Sequence, residues 1–311
     1  MNKKVKTLFI IAIITISAKS INAQPCDIRP DDLSEFKNRT LIVDFQREKI
    51  NTWFMDFWKF NKNIEFKTQE ECLKITKEQQ SKYLVLGTFY EEMNYNNSLG
   101  KKESSSHSLR MIGLVRLEDY KKSLKGNINS VAIACYTPEF DEGKTMKEKL
   151  LGKRTEEYIL RDAEVKLTLK ILVNQLNEIE NNSLKKYNTR DLSKDQAKIN
   201  CPKISSKDIY IDKTFLKDAS DINELKRNKK FKVNIVTSEQ IDEKIENNED
   251  VLIAYSSPYG IQGANDVLIF THFLVNAKDG VFYYESGRSM FGMPGAYFRK
   301  AVFKEILDCS K

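Results

Sequence analysis

The chain reads as an α/β protein, α+β in the make-up of its sheets, with two related β-α-β-α-β-β-β-α domains in tandem and mixed sheets packed with helices. Two observations predict this. Short β-rich runs alternate with stretches whose apolar residues recur at helical spacing, which favours a partly parallel sheet. The same order of elements then runs through the sequence twice, and self-similarity at this scale is a fold-level signal.

In the first line, Leu41-Ile42-Val43-Asp44-Phe45 is a β-rich run. Ile50, Trp53, Phe54, Phe57 and Trp58 follow at i, i+3, i+4, i+7 and i+8, the apolar face of an amphipathic helix, and their bulk marks that face as core. Ile64 to Lys67 alternates as a short strand, and Gln69 to Gln80 is a polar helix. Tyr83-Leu84-Val85-Leu86-Gly87 is a buried strand. Leu109 to Val115 and Val131 to Cys135 add two more, with Glu118-Asp119 as a charged turn between them. A helix over Glu156 to Ile179 closes the unit.

The second line repeats the order. Asp208 to Ile211 is a strand, Asp218 to Asn228 a short helix carrying Ile222 and Leu225, and Phe231 to Val236 an alternating strand. Ser238 has the character of an N-cap for a helix carrying Ile241 and Ile245. Val251 to Tyr255, Val267 to Phe273 and Val281 to Tyr284 are strands, with Lys278-Asp279-Gly280 as a turn, and Ala296 to Leu307 is the last helix. Gln69–Leu86 lies beside Glu239–Ala254 without a gap, and Leu109–Val115 beside Val267–Phe273.

These readings divide the chain into an export signal over 1–23, a first domain over 24–180, a linker over 181–200 and a second domain over 201–311. The linker is expected from its Asn, Lys, Asp and Ser content. An exposed insertion is expected at 138–152, and a flexible hairpin loop at Asn94 to Ser108. The export signal rests on a basic start (Lys3, Lys4, Lys6), an apolar run from Leu8, and Ile21-Asn22-Ala23 before Gln24, the three-part layout a signal peptidase reads. That apolar run is about a dozen residues, short of the roughly 20 that span a bilayer. Gln24-Pro25 before Cys26 argues against a lipid anchor. The expectation is an exported protein, periplasmic or extracellular, cleaved near Ala23-Gln24 and without an integral membrane span in its mature chain.

The net charge is +7, of which Lys3, Lys4, Lys6 and Lys19 belong to the signal, leaving about +3 on the remainder. Basic and acidic residues are mixed. A nucleic-acid binder concentrates its basic residues on one face, and the short run Lys226-Arg227-Asn228-Lys229-Lys230 does not make one. Five cysteines (Cys26, Cys72, Cys135, Cys201, Cys309) remain after the signal; an odd count leaves at least one free or paired between chains, and no pair has zinc-knuckle or redox-motif spacing.

The order strand, amphipathic helix, short strand, helix and Tyr83-Leu84-Val85-Leu86-Gly87-Thr88 resembles an envelope fold. That fold is shared by the amino-terminal domain of the Tol-system β-propeller protein, the curli secretion pore subunit and the lipoprotein activators of penicillin-binding proteins. The second line departs from the strand motif, reading Val251-Leu252-Ile253-Ala254-Tyr255-Ser256, and nothing resembles the curli channel's pore-forming hairpins. The resemblance implies envelope binding or scaffolding rather than chemistry.

No catalytic motif stands out. His107 follows Ser104-Ser105-Ser106 in the expected loop, His272 sits in a strand, and no Gly-x-Ser-x-Gly elbow occurs. Asp44 and Asp212, at matching strand ends, are the only carboxylates the repeat singles out; strand-end acids are usually turn or cap residues. No metal or cofactor is expected. The sharpest local feature is Gly287-Arg288-Ser289-Met290-Phe291-Gly292-Met293-Pro294-Gly295, with Tyr259-Gly260-Ile261-Gln262-Gly263 as a second loop of the same half. Arg288, Phe291, Gly292, Met293 and Tyr259 are therefore the candidate binding residues, Arg288 as a fixed cationic fork and the apolar pair as a contact surface. The reading is an exported non-catalytic envelope protein that binds or scaffolds another envelope protein or cell-wall component. The alternative is an exported hydrolase using paired carboxylates.

Overall fold

The computed structural model describes residues 26–28, 33–44, 48–96, 102–125, 131–136, 161–181, 192–216, 218–227, 231–262, 267–286 and 297–311. The export signal and the expected insertion at 138–152 lie outside the described residues.

In the first half the elements run β1 (Cys26–Ile28), α1 (Leu33–Asn38), β2 (Thr40–Val43), α2 (Glu48–Phe57), β3 (Ile64–Phe66), α3 (Gln69–Lys74), α4 (Lys77–Gln80), β4 (Tyr83–Asn96), β5 (Lys102–Arg116), α5 (Leu117–Ser123) and β6 (Val131–Tyr136). They form a mixed sheet in the order β1-β6-β5-β4-β2-β3. The long helix α6 (Asp162–Asn181) and α7 (Leu192–Asn200) follow. After a 3-10 turn at Cys201–Ser206, the second half runs β7 (Asp208–Asp212), 3-10 turns at Lys213–Phe215 and Ala219–Ile222, α8 (Asn223–Arg227), β8 (Lys232–Val236), α9 (Ser238–Glu246), β9 (Leu252–Gln262), β10 (Val267–Asn276), β11 (Phe282–Glu285) and α10 (Lys300–Cys309). Its sheet has the order β11-β10-β9-β7-β8.

The two sheets share a plan. β2 lies between β3 and β4 and is parallel to both, as β7 lies between β8 and β9; the last three strands of each half form an antiparallel meander, and β1 extends the first sheet at its edge beside β6. Leu86 follows Val43 across the β2–β4 pair as Ala254 follows Ile211 across β7–β9. Gly87 therefore stands where Tyr255 stands, and Thr88 where Ser256 stands. Thr88 faces Ile112, and Ser256 faces His272. Ile112 and His272 are thus equivalent, two residues away from the register that the sequence comparison implies. A shift of two keeps each side chain on its face, since strands alternate with period two.

Local chemistry explains the elements. Ile50, Phe54 and Trp58 are buried while Trp53 and Phe57 are half-buried, so the aromatic stripe of α2 is core. Trp58 Nε1 donates to Asn61 Oδ1 at 3.0 Å, and Asn61 Nδ2 donates to the Phe36 carbonyl at 2.7 Å, which satisfies the buried indole. Thr68 caps α3 with a reciprocal bond to Glu71. Thr237, one residue earlier than the sequence implies, precedes α9, its amide donating to Gln240 Oε1 at 3.0 Å. Ser238 is the first helical residue and turns its hydroxyl to Asp212 instead.

Four stretches differ from expectation. The polar helix Gln69 to Gln80 is two short helices, α3 and α4. The charged turn at Glu118-Asp119 is the helix α5, which buries Leu117 and Tyr120. Most of Asn94 to Ser108 continues strands β4 and β5, because pairing across the hairpin supplies hydrogen bonds that its polar side chains do not predict. Part of the expected linker is α7, which packs against β11 and buries Leu192, Ser193, Gln196 and Ala197.

Helix α6 joins the halves. It packs on β5 and β6 of the first sheet and on α9 of the second half. Lys170 on α6 is 1% exposed, and its Nζ donates to the Ile245 carbonyl at the end of α9 (2.9 Å) and to the Ala277 carbonyl after β10 (2.6 Å). A cation there also suits the negative end of the α9 dipole. Burial lowers the Lys170 ammonium to about 8. Gly280, at φ +74°, brings its backbone against Ile171 N, where a Cβ would stand 2.5 Å away. Among the described residues no helix is long and apolar enough to cross a membrane.

Candidate functional site

Two places in the fold gather chemistry-bearing side chains, one in each half, and each is matched in the other half by a different arrangement. In the first half, Asp44 follows β2 at the carboxyl end of the parallel strands. The chain leaves β2 for β3 on one side and returns to β4 on the other, so this is a switch point, the usual ligand position in open α/β sheets. The carboxylate lies over Gly87, whose missing side chain makes the room: a Cβ there would stand 2.5 Å from Asp44 Oδ2. Tyr120, reaching over from α5, donates its hydroxyl to Asp44 Oδ2 at 2.6 Å. Burial pushes the Asp44 carboxyl up to about 6, partly opposed by the tyrosine bond. Burial first, and the nearby Asp44 carboxylate second, push the Tyr120 hydroxyl well above its ordinary range. The Cys72 thiol on α3, free and buried, is raised to about 11 by burial first and by Asp44 second.

Asp212 occupies the same place in the second half and does something else. It is 0% exposed, its Oδ1 accepts from Thr214 N at 2.7 Å, and its Oδ2 accepts from the Ser238 hydroxyl. It therefore ties the start of α9 to the turn after β7. Tyr255 stands where Gly87 stands in the first half, and its buried ring stacks on Phe273.

The second cluster is a row across three strands. His272 on β10 is 0% exposed and shares a 2.7 Å hydrogen bond between its Nδ1 and Ser256 Oγ on β9. On its other side, His272 N donates to Ser286 Oγ at 3.0 Å and Ser286 N donates to the His272 carbonyl at 2.9 Å. Among the described residues, His272 Nε2 has no hydrogen-bond partner. The Phe298 ring covers the imidazole with centroids 4.7 Å apart. Burial first, and the Arg299 charge second, lower the imidazole to about 3. In the first half the corresponding row is Thr88, Ile112 and Cys135.

Cys201 and Cys309 form a disulfide with Cα atoms 5.8 Å apart, holding the last helix to the turn before β7. Cys135 is also disulfide-bonded, and Cys26 is the residue opposite it across the β1–β6 pair.

Of the candidate binding residues, Arg288, Phe291, Gly292 and Met293 lie outside the described residues, and Tyr259 lies in β9, described by its backbone alone. The described ends of that glycine-rich segment are pinned. Ser286 is held to His272, while Phe298 N donates to the Phe215 carbonyl at 2.8 Å and Phe298 bridges Leu216. The candidate Ser-His arrangement of Ser256 and His272 has no signal in the sequence, because the two residues meet only through strand register. Among the described residues no group of three or more His, Cys, Asp or Glu side chains could hold a metal ion. Comparison with protein-family models, with curated proteins and with solved structures finds no match.

Proposed function

We propose that this is an exported protein of the cell envelope that binds or scaffolds another envelope protein or a cell-wall component, without chemistry of its own. The observation that carries the reading is where the reactive side chains are. Asp212, Ser256 and His272 are sealed in the second half at 0%, 2% and 0% exposure, each bonded to neighbouring structure. The hydrolase alternative needs two carboxylates that reach one substrate. Asp212 is spent on Thr214 and Ser238, and Asp44 on Tyr120. Export is supported by the basic and apolar start of the chain and by disulfides, which persist in oxidising compartments. The resemblance of the first half to the envelope fold of the Tol, curli and penicillin-binding-protein activator families points to the same place. The recognition surface in this reading is the glycine-rich segment with Arg288, Phe291, Gly292 and Met293, aided by Tyr259, in the stretch between Ser286 and Phe298.

The test is recovery of a partner from envelope extract on the tagged mature protein. Substituting Arg288→Ala with Phe291→Ala is expected to reduce recovery about tenfold or more, as loss of central anchors does, while Asp44→Asn leaves it unchanged. Equal recovery with the double variant contradicts the assignment of that segment. A deletion phenotype rescued by the wild type but not by a folded, partner-retaining Asp44→Asn would favour the hydrolase.

A further inference from the structure

The histidine row raises a question that the binding reading does not answer. A neutral imidazole carries one N–H, and the bond between Nδ1 and Ser256 Oγ accounts for one ring nitrogen in either tautomer. The other, Nε2, is buried and, among the described residues, unbonded. A second proton would place an N–H where no acceptor meets it, beside a like charge. Among the described residues, the groups around the ring do not favour a cation. β9 presents the Ser256 hydroxyl, β11 leads to the Ser286 hydroxyl, the last segment covers the ring with Phe298, and Arg299 is the charged group that acts on it. Glu285, next to Ser286, accepts from the Ser193 hydroxyl on α7.

The cover differs from the walls in how it is held. β9 and β10 are bonded along their full shared length, and β10 and β11 along theirs. Phe298 is held to its neighbours by a single isolated bridge at Leu216, with its amide on the Phe215 carbonyl, and its buried ring packs on Phe215 and Phe303. Behind it, α10 buries Val302, Phe303 and Ile306 and is tied by the Cys201–Cys309 disulfide. A charged ring therefore gains water most cheaply by moving Phe298 while α10 stays in place.

We propose that His272 and Phe298 form an acid-operated latch, in which protonation of the buried ring swings Phe298 off the sheet and opens the seam between Leu216 and β10. The open form binds the proton at the ordinary histidine value near 6.5, and the closed form only near 3. Each pH unit lost between those limits favours the open form by about tenfold. The equivalent place in the first half carries Ile112 and has no such device.

The experiment is hydroxyl-radical footprinting of the oxidised full chain at pH 7.5 and pH 4.5, read at Phe298, Phe282 and Phe54. Oxidation of Phe298 is expected to rise tenfold or more at pH 4.5, with the buried Phe282 and Phe54 unchanged. Equal protection of Phe298 at both pH values overturns the latch, and so does a parallel rise at Phe54, which marks general unfolding. His272→Leu is expected to keep Phe298 protected at pH 4.5; opening in that variant also overturns it. If His272→Leu does not fold, His272→Asn, which keeps a polar group beside Ser256 and takes up no proton in this range, is expected to keep Phe298 protected at pH 4.5, and opening in it overturns the latch.

Discussion

The two halves of this protein have the same strand order and pairing sense but place opposite chemistry at matched positions. The pair Gly87 and Tyr255 decides much of it. Where Gly87 leaves room, a carboxylate folds into the sheet and must live beside a tyrosine hydroxyl in poor solvent. Where Tyr255 stands in its place, the matching Asp212 turns to Thr214 and Ser238 and becomes a structural tie. The pair Ile112 and His272 repeats the lesson one row on. A topology specifies where side chains meet, and a single residue change decides whether the meeting is apolar, polar or titratable.

The largest way to break the symmetry is at the second half's staple. Cys201 and Cys309 are 108 residues apart, and a cross-link closing a loop that long restricts the unfolded chain by about 4–5 kcal/mol. Cys201→Ser with Cys309→Ser is expected to lower urea stability by that order, read as a fall in midpoint at constant slope. A smaller effect sharpens the comparison in the first half. Gly87→Ala pushes a methyl into the Asp44 carboxylate and is expected to cost about 1–3 kcal/mol, as overpacking does. Adding Asp44→Gly should return most of it. A cost that persists in the double variant would mean that the close approach is not its source.

Much of the fold was readable because apolar spacing and β-rich runs coincide with buried faces. Ile50, Phe54 and Trp58 follow helical spacing and are core, and Leu84 to Leu86 is a buried strand. What escaped detection buries polar groups instead. Helix α7 hides Ser193 and Gln196, satisfied by Glu285, Asn174 and the Phe282 amide, so it shows no apolar stripe. Helix α5 offers little more than Leu117 and Tyr120 to read. Lys170 sits in the middle of a buried helix face and looks from the sequence like a solvated charge. The Asp44 site was half legible: matched strand ends singled out the acid, but Tyr120 lies 76 residues away and only the sheet and α5 bring it in. The His272 row depends on register alone, and its two-residue offset from the sequence match hid its partners.

The two titratable sites, Asp44 in the first half and His272 in the second, carry opposite proton linkage. Asp44 has a folded value near 6 against 3.8 for a free side chain, so the stability it contributes is full below 3.8 and is lost as pH rises through 6. His272 has a folded value near 3 against 6.5, so its contribution is full above 6.5 and is lost as pH falls toward 3. Asp242, raised to about 7 mainly by burial, and the Lys170 ammonium are present in every variant and cancel in differences. The measurement that tests this most directly is the unfolding free energy of the full chain from pH 3.5 to 8, for wild type, Asp44→Asn and His272→Leu. Relative to wild type, Asp44→Asn should gain about 2 kcal/mol between pH 4 and 7, and His272→Leu should gain about 1.4 kcal/mol for each unit lost below 6.5 until the latch opens, and level off below that pH. Difference curves of opposite slope are the predicted result; curves that are flat, or that slope the same way, would contradict it.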